Sequence, residues 1–514
     1  MTANRSGRRT EILLFLSCWI VLSVHFATNI AREHYPAMAL ADHASLAVDE
    51  YAGLHPDIFV APNTHAYINN NPGVSLLAAV PLLVFRPLLQ AAEAYGQRQV
   101  AASGGRVSAE YADPRPNRQR FYRQVRERGL DIKFGLVAFL TVVFCMAPLT
   151  SLAATVLFRR LRELQFPRGS ALFYAALMVF GTPLFFRNGY LNHNHVLGLL
   201  VFFAFALLWR PGTAPAPPTL PRLAAAGVLG GYAVVCDYSG LVPLSFLFAY
   251  VLLRLHGARV TSAPASASRR SIGLGAMTFA CGAAVPIAGL ALYQWSAFGH
   301  PLLPAQAVMP DATYSSYGYR GLSWPQGDLF AANLFDSRFG LLAFGPLLAL
   351  GVPGIWLAPS RWLQRREKLL LAAFALLFLL FCSANQYARL QWNTGVRYLV
   401  PMIPFLMLGV IAVLVRVPAP VRYGVTGLAV AHAWALAMVR ESVPDSLHRA
   451  FVQGFELPWL TVLWKMAPQY LPGVDTPPTP WPIFLLCALA IGALWWRDRP
   501  RKPAKLCMAA ERRA

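Results

Sequence analysis

The chain has 514 residues, of which 56% are hydrophobic and only 13% are charged, and its mean hydropathy is +0.45. Apolar runs recur from Ile12 to Trp496, so the composition excludes a sizeable soluble domain. The net charge of +22 would indicate a nucleic-acid partner in a soluble protein. In a membrane protein the same excess indicates basic loops on the cytoplasmic side, so no nucleic-acid partner is predicted.

Each long apolar run reaches the roughly 20 residues that a helix needs to cross hydrocarbon, and the runs are too long for barrel strands. The sequence predicts an all-α polytopic membrane protein, with about 12 transmembrane helices in a single integral membrane domain over 1–514. The first run follows three arginines and could be a signal peptide, but the many spans after it favour a retained helix. The predicted spans are 12–30, 133–158, 169–187, 194–209, 222–236, 240–256, 272–293, 339–358, 368–383, 398–415, 422–439 and 481–496.

The short apolar run Val74–Leu89 decides the topology, because it contains Pro81, Arg86 and Pro87 and is only just long enough to span. If it lies along the membrane surface, most basic connections fall on the side of the N-terminus, whereas a span here would reverse every later connection. We therefore predict a juxtamembrane helix over 74–89 and two cytoplasmic termini. This topology has one exception to the rule that basic segments face the cytoplasm, because the basic segment from Arg98 to Lys133 then lies on the outer side.

With this topology the long polar loops lie on the outer side of the membrane, so chemistry is expected there. They are a first outer, periplasmic loop over 31–132 and further outer loops over 294–338 and 440–480, while 497–514 form a basic cytoplasmic tail. The seven cysteines lie in or beside apolar runs or in the tail, so neither a disulfide framework nor a zinc site is predicted.

An unusual share of the acids and histidines lies between Asn29 and Gly73. A carboxylate at a membrane-facing cleft can act as a general base toward an acceptor hydroxyl, although each one could also be an ordinary solvated side chain. Histidine together with carboxylate could bind a divalent metal, but no spacing is diagnostic. The group comprises Glu33, His34, Asp42, His43, Asp49, Glu50, His55, Asp57 and His65.

Three further polar stretches lie at the predicted outer ends of spans. Arg187–His195 could supply donors at the mouth of a cavity or simply anchor the interface, and Asp237 is costly between two spans unless it faces water or a partner. Arg397 could bind a lipid phosphate through two parallel hydrogen bonds or reach a headgroup. Trp392 and Tyr398 fit an interfacial aromatic belt on either interpretation.

These residues, in this order, resemble the bacterial membrane glycosyltransferases of the GT-C superfamily, the group related to protein mannosyltransferases and aminoarabinose transferases. The resemblance extends over nearly the whole chain, and the ordered set of motifs carries it. The motifs are the acidic first loop, Tyr67–Leu77 with Pro72 and Gly73, Gly181–Leu184 before His195, Asp237 with Tyr238, Tyr293–Pro301, and Trp392–Pro401.

The resemblance implies a GT-C-like bundle in the bacterial inner membrane that takes sugar from a polyprenyl-phosphate donor at the outer face, with inversion at the sugar. An acidic residue of the first loop would be the base, for which Asp49 and Glu33 compete, with Glu50 as a further candidate. The acceptor would be a lipid, glycan or protein, and no cofactor is required. The candidate substrate-binding residues are Asp57, His65, Asn71, Arg187, His195, Asp237, Tyr238, Trp392, Arg397 and Tyr398.

The chain departs from the family at two places. Asn69–Asn71 replace the acid and lysine that often precede Pro-Gly, and Thr28 and Asn29 stand where the aminoarabinose-transferase type has its acid. Two alternatives therefore stay open, a flippase or transporter of lipid-linked sugars and an inactive relative. A transporter would place functional charges inside its spans, whereas almost all charges here lie at span ends.

Overall fold

The structure is a computed structural model that describes residues 2–104, 116–210, 217–257, 265–310, 317–466 and 478–496. Within these residues it has twenty-two α-helices and one two-stranded hairpin. The predicted cytoplasmic tail over 497–514 lies outside the described residues. The strands are β1 (Ile58–Val60) and β2 (Ala66–Ile68), which pair antiparallel with Phe59 opposite Tyr67.

The first twelve helices include those of the predicted first outer loop. Helices α6 and α7 are continuous through a π-helical turn at Val142–Met146. The helices are α1 (Thr2–Val24), α2 (His34–His43), α3 (Gly73–Val84), α4 (Arg86–Ala102), α5 (Pro116–Glu127), α6 (Asp131–Thr141), α7 (Ala147–Glu163), α8 (Arg168–Phe180), α9 (Pro183–Asn188), α10 (His193–Leu208), α11 (Leu220–Cys236) and α12 (Leu241–Gly257).

The remaining ten helices complete the bundle. Several are broken by short 3-10 segments, among them Pro346–Leu350, Gln386–Asn393 and Val400–Met402. The helices are α13 (Ala265–Phe298), α14 (Gly327–Phe335), α15 (Leu341–Phe344), α16 (Gly351–Leu357), α17 (Arg365–Ala384), α18 (Ile403–Leu414), α19 (Ala419–Val439), α20 (Val443–Gln453), α21 (Pro458–Met466) and α22 (Trp481–Trp496).

The helices have the length and composition expected of a polytopic membrane protein, which confirms the predicted all-α class. Four helical stretches among the described residues are long and apolar enough to cross a membrane, or five if the bent pair α3 and α4 counts as one. Six shorter apolar helices add to them. The four long stretches are Asp131–Glu163, Tyr238–His256, Ser271–Phe298 and Arg365–Ala384.

The predicted helix over 74–89 is instead two helices, which meet at Phe85 with a bend of 82°. Pro87 lies in the first turn of α4, where its missing N–H costs nothing, but in a continuous helix it would remove a hydrogen bond. Whether this bent pair lies along the membrane surface stays a prediction.

Other predicted spans also end or break earlier than the apolar runs indicated. Helix α1 ends at Val24 rather than at residue 30, because the following chain pairs elsewhere, with Ala27 N–H donating to the Gly189 carbonyl at 2.7 Å. The span over 169–187 breaks at Gly181, after which the Thr182 hydroxyl accepts from Leu184 N–H and begins α9. These breaks leave polar backbone at one end of the bundle.

The start of α3 docks on the end of α11 with no space between the two backbones. A Cβ at Gly73 would lie 2.6 Å from the backbone carbonyl of Val235, so only glycine fits. The Asn71 side chain donates to the Val234 carbonyl at 2.9 Å, and the Tyr232 hydroxyl donates to the Gly73 carbonyl at 2.8 Å. The contact fixes Asp237, which directly follows α11, relative to the first loop.

Candidate active site

A large cavity of about 1130 Å³ opens where several breaks in the helices meet. Its walls mix apolar side chains with an excess of arginines over carboxylates. The segments around it are 29–33, 186–193, 237–239, 394–398 and 440–442. The cavity therefore brings together parts of the chain that are more than 400 residues apart.

Two carboxylates meet opposite nitrogens of the His193 ring. His193 Nδ1 forms a hydrogen bond with Glu33 Oε1, and His193 Nε2 lies 3.5 Å from Asp237 Oδ2. The side chains of His193 and Glu33 are each 3% exposed, whereas that of Asp237 is 26% exposed. The three side chains thus form a connected row, or chain of contacts, that runs from the buried floor of the cavity toward solvent.

Local capping places two members of this chain. The Asn192 side chain accepts from His195 N–H at 3.0 Å and starts α10, so His193 is the first residue of that helix. Asp237 Oδ1 accepts from Ser239 N–H at 2.9 Å, which leaves Oδ2 for His193. These two hydrogen bonds thus fix the positions of His193 and Asp237 relative to each other.

Arg32 links Glu33 to the rest of the first loop. Its Nη1 donates to Asp57 Oδ2 and to the Asn69 carbonyl, each at 3.1 Å, and its Nε lies 4.0 Å from Glu33 Oε1. Burial opposes ionisation of Glu33, but the hydrogen bond and charge of His193 and the charge of Arg32 outweigh it. Together they hold the pKa of the Glu33 carboxyl well below its usual range.

Three arginines converge on the opposite wall with no carboxylate partner among the described residues. Arg187 donates to the Tyr190 hydroxyl and to the Thr394 carbonyl at 3.1 Å, and Arg440 donates to the Phe186 carbonyl at 2.9 Å. The guanidinium of Arg397 lies 4.9 Å from the Tyr398 ring centroid. We call Arg187, Arg397 and Arg440 the arginine cluster.

Each guanidinium of the arginine cluster keeps a free donor. Arg187 Nε, Arg397 Nε and Arg440 Nη2 are buried and have no hydrogen-bond partner in the part of the chain that is described. Buried cationic donors without acceptors are costly, so the arrangement is one that an anion in the cavity would complete.

The structure places seven of the sequence-predicted site residues on the cavity wall and the others elsewhere. Asp49 pairs with His65 at 2.9 Å and Glu50 with His43 at 2.8 Å, all at the protein surface and outside the cavity lining. Asp49 also accepts from Ala66 N–H, so it fastens the β hairpin. The seven on the wall are Glu33, Asp57, Arg187, Asp237, Tyr238, Arg397 and Tyr398.

Two of the remaining candidates, Asn71 and His195, support the scaffold. Asn71 holds α3 against α11, and His195 points into the bundle, where its Nε2 lies 2.7 Å from the Thr150 hydroxyl. Trp392 belongs to the 3-10 helix Gln386–Asn393, and its side chain lies outside the part of the structure that is described.

Sequence reasoning did not single out His193, Arg32 or Arg440, although His193 lies in the stretch Arg187–His195 that it considered as a source of donors at the mouth of a cavity. A signal for His193 was present, since Asn192 is a good N-cap and a helix that starts there turns residues two apart to opposite faces. His193 and His195 therefore point to different sides of α10, and in the structure His193 lines the cavity while His195 contacts Thr150. For Arg440 no local signal existed, because its place depends on where α19 ends.

No family model and no curated protein matches the sequence. Among solved structures, the chain is similar to ArnT from Cupriavidus metallidurans bound to undecaprenyl phosphate, with 14% identity over 95% of this chain and 72% of that chain and a TM-score of 0.49. It is also similar to the archaeal oligosaccharyltransferase AglB from Archaeoglobus fulgidus, in complex with an inhibitory peptide and a dolichol-phosphate. That match has 12% identity over 91% of this chain and 58% of that chain, with a TM-score of 0.42. At these TM-scores neither likeness carries an argument about function, which rests on the geometry of the cavity.

Proposed function

We propose that the protein is an inverting glycosyltransferase that moves a sugar from a polyprenyl-phosphate donor to a hydroxyl-bearing acceptor. The observation that carries the proposal is one cavity that holds both the arginine cluster, in which each guanidinium has a buried nitrogen without a hydrogen-bond partner among the described residues, and two carboxylates joined through a histidine. The first feature suits a phosphate, and the second suits removal of a proton. The acceptor is a lipid, glycan or protein.

The arginine cluster supports a phosphate ligand. Guanidinium groups bind phosphate oxygens through paired, charge-assisted hydrogen bonds. Three of them that form no ion pair with a carboxylate of the described residues leave a local excess of positive charge. The cavity also has apolar walls, including Ile30, Phe186 and Phe381, which suit the first units of a prenyl chain. A phosphate attached to a lipid satisfies both features.

The proton-accepting chain supports transfer to a hydroxyl. The acceptor O–H bond breaks as its oxygen bonds to the anomeric carbon from the face opposite the phosphate, and the C–O bond to the phosphate breaks with its electron pair on the phosphate oxygen. The arginine cluster stabilises the charge that develops on the leaving group, at roughly 3–4 kcal/mol for a well-placed donor. The proton passes to the chain of Glu33, His193 and Asp237.

The proposed location is the outer face of the bacterial inner membrane, with both termini in the cytoplasm. Basic connections, such as that around Arg159 at the end of α7, would face the cytoplasm. The stretch Asp131–Glu163 has 33 residues and so is roughly 50 Å long, which supports the proposal that its two ends lie on opposite sides of the membrane, with Asp131 outside.

A binding and transfer assay on the purified protein in lipid nanodiscs tests the proposal. Arg187→Met and Arg397→Met should each weaken binding of a polyprenyl phosphate about 10-fold or more, because each removes a charge-assisted hydrogen bond worth roughly 1.5–3 kcal/mol. Arg159→Gln, which removes an exposed arginine paired with Glu163, should leave binding unchanged. Unchanged binding in both cluster variants would contradict the phosphate assignment, and binding without any transfer would favour a lipid carrier.

A further inference from the structure

We infer that Tyr190 is the positioning residue of the arginine cluster and sets the geometry in which its three guanidinium groups meet a phosphate. The inference rests on the proposed function and deepens it, because it names the side chain that holds the phosphate subsite in shape. Tyr190 lies two residues after the end of α9, is 6% exposed and lines the cavity.

The arginine cluster brings like charges together in a buried place. The positive charges of Arg397 and Arg440 both act on that of Arg187. Buried cations repel one another and have lost the solvation of water, so before an anion binds they need stabilisation from another source. A carboxylate could provide it, but a carboxylate would also occupy the donors that a phosphate needs.

The Tyr190 ring stabilises two of these cations without using up their hydrogen-bond donors. The guanidinium carbon of Arg187 lies over the ring at 4.7 Å from its centroid, and that of Arg440 lies over it at 4.8 Å. The negative face of an aromatic ring attracts a cation at this distance. Arg187 Nε and Arg440 Nη2 meanwhile have no hydrogen-bond partner among the described residues. The ring therefore holds both groups while each keeps a donor for an anion.

The Tyr190 hydroxyl connects the third arginine to the other two. It accepts a hydrogen bond from Arg187 Nη1 and donates one to the Thr394 carbonyl at 3.0 Å. Arg187 Nη1 donates to the same carbonyl at 3.1 Å. Thr394 lies three residues before Arg397, so this triangle of hydrogen bonds fixes the segment that leads to Arg397.

Other aromatic rings near the cluster have a narrower role. Arg440 also lies over the Phe186 ring at 4.2 Å, and Arg397 lies over the ring of its neighbour Tyr398 at 4.9 Å. In the described part of the chain each of these rings lies under one guanidinium, whereas the Tyr190 ring lies under two. Tyr190 is thus the side chain through which all three members of the cluster are placed relative to one another.

Two substitutions at Tyr190 test the inference in lipid nanodiscs, with a polyprenyl phosphate and the polyprenol of the same chain length as probes. Tyr190→Leu should weaken binding of the phosphate about 10-fold or more, because it removes both cation–ring contacts and the hydroxyl. Tyr190→Phe keeps the ring and should weaken it only about 3-fold, the effect of one hydrogen bond. Binding of the polyprenol, which has no charge, should be the same in both variants as in wild type.

Tyr174→Leu is the matched control, because it makes the same change at a buried tyrosine of α8 that is 2% exposed and does not line the cavity. Loss of a buried ring should lower the Tm of both leucine variants. Only Tyr190→Leu should reduce the preference for the phosphate over the polyprenol. A role in stability alone would leave that preference unchanged.

A double substitution shows whether Tyr190 acts through the arginines. In an Arg440→Met background one of the two cations over the ring is already gone, so Tyr190→Leu should weaken phosphate binding by a smaller factor than in wild type. An equal factor in both backgrounds would contradict the positioning of Arg440 by Tyr190.

Two further results would overturn the inference. One is a Tyr190→Leu protein that binds the phosphate as tightly as wild type, and the other is an equal loss of phosphate and polyprenol binding. Failure of the proposed function looks different, because the wild-type protein would then bind the phosphate no more tightly than the polyprenol.

Discussion

At the scale of single residues, a glycine beside the cavity can decide where a neighbouring arginine side chain lies. Gly189 is an example, since a Cβ there would lie 2.5 Å from Arg440 Nη1 and 3.2 Å from the His25 carbonyl. Arg440 itself follows the end of α19 in a left-handed conformation, with φ of 63°, which turns its side chain back over Phe186 and Tyr190. The glycine therefore makes room for one member of the arginine cluster.

Gly189→Ala should displace the Arg440 guanidinium and weaken polyprenyl-phosphate binding about 10-fold, the lower end of the loss of one charge-assisted hydrogen bond. The measurement is the dissociation constant in nanodiscs. Gly424→Ala, at a position on α19 where a Cβ meets nothing within 4 Å, is the matched control. Equal affinity of the two variants would mean that Arg440 takes no part in binding.

Residue types alone did not separate the first-loop acids. Asp49, Glu50 and Glu33 all stand in one polar loop, and each could have been a solvated side chain or a base. Glu33 lines the cavity because it directly precedes α2, whereas Asp49 and Glu50 begin a 3-10 turn that faces outward. This difference depends on contacts with His193, 160 residues away, which no local pattern encodes.

At the scale of elements, the contact between α3 and α11 sets the distance between the first loop and Asp237. The Ser75 hydroxyl donates to the Glu33 carbonyl at 2.8 Å, so α3 also holds the backbone of the buried carboxylate. The Pro72 and Gly73 motif, which the sequence singled out as a family feature, therefore has a structural role in aligning both carboxylates.

Gly73→Ala should destabilise the protein by about 1–3 kcal/mol, because the added Cβ meets backbone atoms of Val235 and Cys236 that cannot rotate away. Thermal unfolding in detergent should show a clearly lower Tm and reduced transfer. Gly427→Ala, where a Cβ has open space within α19, should keep or raise the Tm. A Gly73→Ala protein as stable as wild type would show that the two helix ends can move apart.

At the scale of the whole molecule, the cavity and the basic connections should lie on opposite sides of the membrane. Asn63, in the turn of the β hairpin, is exposed near the cavity end, and the Arg159 side chain is exposed at the far end of α7. The predicted topology places Asn63 outside and Arg159 in the cytoplasm.

Cysteine labelling with a membrane-impermeant maleimide tests this arrangement. In a Cys281→Ser, Cys507→Ser background, which removes the native thiol that is exposed among the described residues and the one in the predicted cytoplasmic tail, Asn63→Cys should react in intact cells and Arg159→Cys only after permeabilisation. The reverse pattern would place the cavity on the cytoplasmic side and contradict both the topology and the outer-face reaction.

The sequence by itself determined that this is a helical membrane protein, because runs of apolar residues long enough to span can satisfy their backbone in lipid only as helices. It also singled out Arg187, Asp237 and Arg397 as candidates, since polar residues at span ends are few in so apolar a chain, and the structure places all three on the cavity wall. Only the tertiary structure decided that Glu33 and His193 meet, that Asp49 lies outside the cavity, and that Arg440 completes the arginine cluster. The physical reason is that these placements depend on where helices break and which breaks pack together, which is fixed by contacts between residues that lie far apart in the chain.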